Sequence, residues 1–269
     1  MADYVTLERP REGVALVTMS NPAINNHGSW KGIGELAAAM KEGREGGARS
    51  LVLASGVPGH WFEHAWLQDL ADAMEGKPTT GEGASWYNAL YEIGKTHVVS
   101  IAAVSGDCSG GGAELGWACD LRIAEEQALF AQPEIQIALT TGIGGTSRLA
   151  RIIGRTATAE MVMLGLPMTA RRVYELGGVN EVVANGKSIE VALQWASMLA
   201  DRPPKALAAL KQILIDNDDM NLTDALANEQ RLFQSVATTP EAMQTMRRIQ
   251  ARFDKGASIR EVYGLPRRS

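Results

Sequence analysis

Cysteine is nearly absent from this chain: two in 269 residues, Cys108 and Cys119. So few exclude a disulfide framework and fit a reducing compartment, so a cytoplasmic location is expected. No apolar run reaches the length of about 18 residues that a spanning helix needs. The opening MADYVTLERP lacks the basic start and apolar stretch of a secretory signal, and none is expected. Positive charge is not in excess either. Lys and Arg total 26 against 31 Asp and Glu, for a formal net charge of -5. That balance argues against nucleic acid or an anionic membrane surface as the main partner. The basic runs RRIQAR and PRRS, near and at the end of the chain, read as solvated surface.

What is present is a sizeable apolar content, 45% of residues, enough for one large buried core. YVTLER and VALVTMS, around a PREG turn, read as a hairpin. From Ser29 onward, Trp30, Ile33, Leu36, Ala37 and Met40 share one helical face. RSLVLAS and HVVSIAAVSG read as short buried strands, each followed by a loop and a helical pattern. Strand alternates with helix in this way to about residue 190, which indicates an α/β architecture with crossover connections. Beyond VNEVVA the pattern turns helical, and the paired prolines of DRPPKA suit a helix start. The expected organisation is an α/β core over 1–195 and a helical region over 196–269.

The densest chemistry lies in VSIAAVSGDCSGGGAELGWACD. A strand gives way to a helix across Gly110, Gly111 and Gly112, where the first backbone N–H groups of the helix lack partners. Such a site suits a negative charge or a developing oxyanion, and glycine lets a ligand approach the backbone. Glu114 then stands one turn in. Glycine runs also serve turns and close packing, and a first-turn glutamate is favoured by the helix dipole alone. A phosphate loop is disfavoured, because no Lys-Ser/Thr follows the glycines. A second carboxylate, Glu134 in FAQPEIQIALTTGIGG, sits among apolar residues, where it is costly unless used or paired. Two such glutamates could divide acid and base roles, or Glu134 could be an N-terminal helix residue or an ion-pair partner. Cys108, at the same helix start, could be a nucleophile or a small buried thiol.

Together, AAVSGDCSGGGAELGWACDLRIA and ALFAQPEIQIALTTGIGGTSRLARIIG resemble the crotonase (enoyl-CoA hydratase/isomerase) superfamily, over nearly the whole chain. The resemblance implies a repeated ββα spiral core and a helical C-terminal oligomerisation region forming a homotrimer or dimer of trimers. It also implies an acyl-CoA thioester substrate, with coenzyme A as part of that substrate and no separate cofactor or metal. The family's shared chemistry is stabilisation of a thioester enolate by two backbone N–H groups. By position, Gly111 and Ala65 match these donors, and Glu114 and Glu134 match the two glutamates of hydratases. His64, Trp66, Leu67, Gln68, Gly110 and Gly112 match positions beside the substrate.

Departures from the family pattern are concentrated in the donor loop WFEHAWLQDL, where His64 replaces a glycine and Trp66 an aspartate. Histidine adopts positive φ less readily than glycine, so an altered loop is expected. The segment NPAINNHGSW carries His27, and Thr141 stands where the family has proline. His27 and His64 are either hydrogen-bonded loop residues or an extra acid or base near neutral pH. His60 and His97 carry no assigned role. The aromatics Trp61, Trp86 and Tyr87 read as core more readily than as an acyl pocket. The first function expected is therefore hydration of a 2,3-enoyl-CoA or its reverse. The alternatives are a CoA-independent β-diketone hydrolase on the same scaffold, or a non-catalytic acyl-CoA-binding protein.

Overall fold

The structure, a computed structural model, describes residues 3–264, and the basic PRRS end lies outside them. The chain divides into two compact units, Met1–Pro204 and Lys205–Ser269.

The first unit opens with the expected hairpin, β1 (Val5–Arg11) and β2 (Val14–Met19), turned at Gly13. From β2 a repeat runs along the chain: a strand of the main sheet, a short strand of a second layer, then helix. β2 leads to β3 (His27–Gly28) and α1 (Trp30–Glu45). β4 (Ser50–Ser55) leads to β5 (Gly59–His60), β6 (Glu63–Ala65), α2 (Leu67–Met74) and α3 (Ser85–Ile93). β7 (Val99–Val104) leads to β8 (Gly106–Ser109) and α4 (Gly110–Ala118). β9 (Leu121–Glu125) leads to β10 (Leu129–Ala131), α5 (Gly145–Ile153) and α6 (Arg155–Leu164). β11 (Met168–Thr169), α7 (Ala170–Glu175), β12 (Glu181–Val183) and α8 (Ser188–Ala200) follow. The main sheet is ordered β1-β2-β4-β7-β9-β12, antiparallel at β1/β2 and parallel beyond it. The second layer comprises β11-β10-β8-β5 and the pair β3-β6. This is the ββα repeat that the family resemblance implies.

The continuous apolar runs are explained by burial on both faces of the sheet. In β4, Leu51 and Leu53 enter the core shared with α1, α3 and α4, while Val52 and Ala54 enter the core on the opposite face. In β7, Ala102 and Val104 face the first core, and Ile101 and Ala103 the second. The second face is covered by α8, whose Ala192, Ala196 and Ala200 are wholly buried at helical spacing. Small residues there let the helix axis lie close to the sheet. Position 195/196 lies inside α8, and the first compact unit runs on to Pro204, with Ala196 and Ala200 in its core.

The second unit begins one residue into α9 (Pro204–Asn217) and continues with α10 (Leu222–Ala237), α11 (Pro240–Phe253) and α12 (Ile259–Tyr263). Asn221, Thr239 and Ser258 cap the last three helices, each side chain accepting a backbone N–H of the first turn. Large apolar side chains remain exposed on these helices, among them Leu210, Leu214, Leu222, Leu226, Phe233 and Met246. Among the described residues no helix is long and apolar enough to cross a membrane.

Candidate active site

The glycine run forms the first turn of α4, directly after β8. Ser109 is its N-cap residue, yet its side chain does not cap the helix. Its hydroxyl instead accepts from the His64 N–H at 3.1 Å and donates to the Glu63 carboxylate. The first N–H groups of α4 thus lack the side-chain acceptor that such a position usually supplies. Gly110 has φ 47°, a left-handed conformation that favours glycine. Gly112 answers a different demand. A Cβ there would lie 2.1 Å from the Phe62 carbonyl oxygen, so only a bare backbone lets α4 approach the strand carrying Ala65. Gly112→Ala is expected to cost about 3 kcal/mol by overpacking, measurable as a lowered urea midpoint at unchanged slope.

Glu114 and Glu134 both line one cavity of about 420 Å³. Glu114 is buried in α4, and its Oε1 accepts from the backbone N–H of Ile143 at 3.0 Å and of Gly145 at 2.6 Å. Burial raises its pKa, while those N–H groups and the Arg148 charge pull it back toward the ionised form. Glu134 opens a short 3₁₀ turn, Glu134–Ile137, that ends at Ala138 with φ 58°. Burial raises its pKa to about 7, and the nearby Glu114 charge adds to the rise. The wholly buried Gln132 donates its amide N–H to Glu134 at 2.8 Å, while its oxygen accepts from the Trp117 indole. The two carboxylates therefore sit in unlike surroundings. Burial raises both pKa values, that of Glu134 to about 7, and a pair shifted to different extents can divide acid and base roles.

Across the cavity stands β6. The glycine-to-histidine change does not strain it, since His64 is not among the described residues with positive φ. The loop is held from behind instead. Glu63 accepts from the Ser109 hydroxyl and from His60 Nδ1, the latter at 2.8 Å. On the other side, wholly buried Asn26 accepts from the Asn21 N–H and donates to Met19, Ser55 and Trp61, fixing the segment that carries His27. His27 and His64 meet through their Nε2 atoms at 3.2 Å. His60, Glu63 and Asp107 are the one group among the described residues whose donor atoms could hold a metal ion. Burial, then the Glu63 charge, raises the pKa of Asp107.

The residues expected at the site separate into two groups. His64, Ala65, Leu67, Gly111, Glu114 and Glu134 line the same cavity. Trp66, Gln68, Gly110, Gly112 and His27 do not line it. Trp66 immediately precedes α2 and lies edge-on to His27 at 5.9 Å between ring centres. Gln68 is exposed and donates to Asp72 within α2. Trp86 and Tyr87, read from the sequence as core, line the cavity, and Trp61 is wholly buried. Cys108 is buried, and burial pushes its thiol pKa well up, away from the thiolate form. Thr141, in place of the family proline, uses its hydroxyl to accept the Thr146 N–H. Gln132, Ser109, Glu63 and His60 escaped the sequence reading. Ser109 and Glu63 directly precede the marked Gly110 and His64, and Gln132 lies two residues before Glu134, so sequence proximity was the one signal that could have found them.

A family model for enoyl-CoA hydratase/isomerase matches residues 9–254. The chain is 31% identical over 245 residues to the 2,3-dehydroadipyl-CoA hydratase of Escherichia coli, covering 90% of this chain and 92% of that protein. It is 34% identical over 176 residues to the carnitinyl-CoA dehydratase of Shigella flexneri, covering 65% and 67% respectively. Among solved structures, the enoyl-CoA hydratase of Mycobacterium tuberculosis superposes with a TM-score of 0.80 at 25% identity, over 94% of this chain and 96% of that one.

Proposed function

Since this chain belongs to the enoyl-CoA hydratase/isomerase family of enzymes, we propose that it adds water across the 2,3-double bond of an enoyl-CoA thioester, or removes it. The observation that carries the reading is the meeting of two unlike glutamates in one cavity with the uncapped start of α4. The N–H groups of Gly111 and Ala65 receive the thioester oxygen and stabilise the charge it gains as an enolate. Glu114, kept toward its ionised form by Ile143 and Gly145, takes a proton from water as it attacks C3. Glu134, with its raised pKa, delivers a proton to C2. One proton is taken and one given, so water is added with the enzyme restored after proton exchange between the carboxyls and solvent. The lining Leu67, Leu70, Met74, Ile137, Leu139 and Ile143 suit an apolar acyl chain.

The assay is decay of the conjugated enone absorbance of crotonyl-CoA. Hydration is expected to slow as pH rises through about 7, because Glu134 must hold its proton and loses it there. A rate that rises through that range would reverse the acid and base assignments. A second reading, CoA-independent cleavage of a β-diketone, is favoured by one observation, the His27–His64 contact at the cavity wall. Turnover of a β-diketone without coenzyme A would select it. The exposed apolar side chains of the second unit support assembly into a trimer or a dimer of trimers. Light scattering is expected to give a mass of three or six chains, and a monomer would contradict that.

A further inference from the structure

The contacts of His27 and His64 fix a proton count. His27 Nδ1 meets the Ile24 carbonyl, His64 Nδ1 meets the Ala65 carbonyl at 2.8 Å, and the two Nε2 atoms face each other at 3.2 Å. A carbonyl can only accept, so both Nδ1 atoms must carry hydrogen. The Nε2–Nε2 contact needs one more. Two neutral imidazoles supply two ring protons between them, and three contacts require three. With only two, either a carbonyl faces a bare nitrogen or two nitrogen lone pairs face each other. The rings lie T-shaped with 4.3 Å between centres. We propose that His27 and His64 hold three ring protons as one unit, placing a single shared positive charge at the cavity wall beside the Ala65 donor.

Charged and titratable groups surround the unit on several elements. Glu63 lies on its own strand, with His60 on β5 and Asp107 on β8 behind it, and Glu114 and Glu134 stand across the cavity. Burial lowers the proton affinity of His64, the Ala65 carbonyl partly restores it, and the His27 charge lowers it again, leaving the value below that of an ordinary histidine. The shared contact opposes that loss, because releasing the third proton leaves one of the three contacts without a hydrogen. His64 lines the cavity, whereas His27 reaches it only through His64. On the hydratase reading, which this role rests on, the charge favours the developing thioester enolate. His64 is then the residue facing substrate and His27 a positioning residue.

The test is nitrogen NMR of the full chain with ¹⁵N-labelled histidine, titrated upward from about pH 6, below the ordinary histidine value. Expected are two rings with protonated Nδ1 and one proton averaged between their Nε2 atoms, lost in a single step as pH rises. Two neutral rings at the start, whether one Nδ1 is bare or both Nε2 atoms are, would overturn the proposal. So would ring signals that change on adding a chelator, since a metal ion would then hold the Nε2 atoms together. In His27→Gln, the crotonyl-CoA kcat is expected to fall roughly 100-fold at unchanged KM, the scale of losing an oxyanion donor. An unchanged kcat with the three-proton signature intact in the wild type would overturn the catalytic role alone. The proton count is read without substrate, so its failure is separable from failure of the hydratase reading.

Discussion

Glu134→Gln is expected to lower the hydration rate of an enoyl-CoA roughly 100- to 10,000-fold with the fold unchanged. Glutamine keeps the shape of the side chain and an oxygen that can still accept from Gln132, so the cavity wall stays formed. What it lacks is a proton that can leave toward carbon. The wild-type carboxyl is suited to that donation because burial holds its pKa at about 7. An ordinary exposed glutamate would be ionised at neutral pH and would have no proton to give. The same variant should remove the decline in rate through about pH 7, since the group that titrates there is gone. A variant that keeps that pH dependence would move the acid role elsewhere. Substrate affinity should change little, because an amide and a neutral carboxyl present similar surfaces to an apolar acyl chain.

Glu114→Gln should bring a loss of similar size, again roughly 100- to 10,000-fold, by removing the base proposed to activate water. Here the choice of substitution decides what is learned. Glu114 also accepts two backbone N–H groups of the loop before α5. Glutamine can retain an acceptor for Ile143 and Gly145, whereas alanine leaves both donors facing a vacated site. Glu114→Ala is therefore expected to add a stability cost of about 1–3 kcal/mol, from unsatisfied buried groups. Comparing the two by urea unfolding and by rate separates the base from the brace. Equal rates with unequal stabilities would be the outcome expected here.

The parts of this site that a short stretch of chain specifies were legible in the sequence. The strand-to-helix junction at the glycines, Glu114 one turn in and Glu134 after Pro133 are local patterns. So were the strands buried on both faces, since continuous apolar runs reveal them. What escaped depends on contacts between distant segments. Ser109 could have been a helix cap, and only the approach of Glu63 and the His64 N–H turns its hydroxyl away. Trp86 and Trp66 are indistinguishable as residues. The cavity receives Trp86 because α3 presents it beneath Gly111, where an added Cβ would lie 2.8 Å from its ring. His64 stands where the family pattern has glycine, and β6 accommodates it without positive φ. Where α8 packs was not legible either, because alanines at helical spacing look alike whether they cover a sheet or another helix.

The most direct measurement is proton NMR of the product formed from crotonyl-CoA in deuterated water, wild type beside Glu114→Gln. The wild type should give 3-hydroxybutyryl-CoA with one deuterium at C2, while the variant gives almost none in the same time. That outcome would tie Glu114 to the hydration of the 2,3-double bond. Unreacted crotonyl-CoA with the wild type, or equal product from both proteins, would contradict the account.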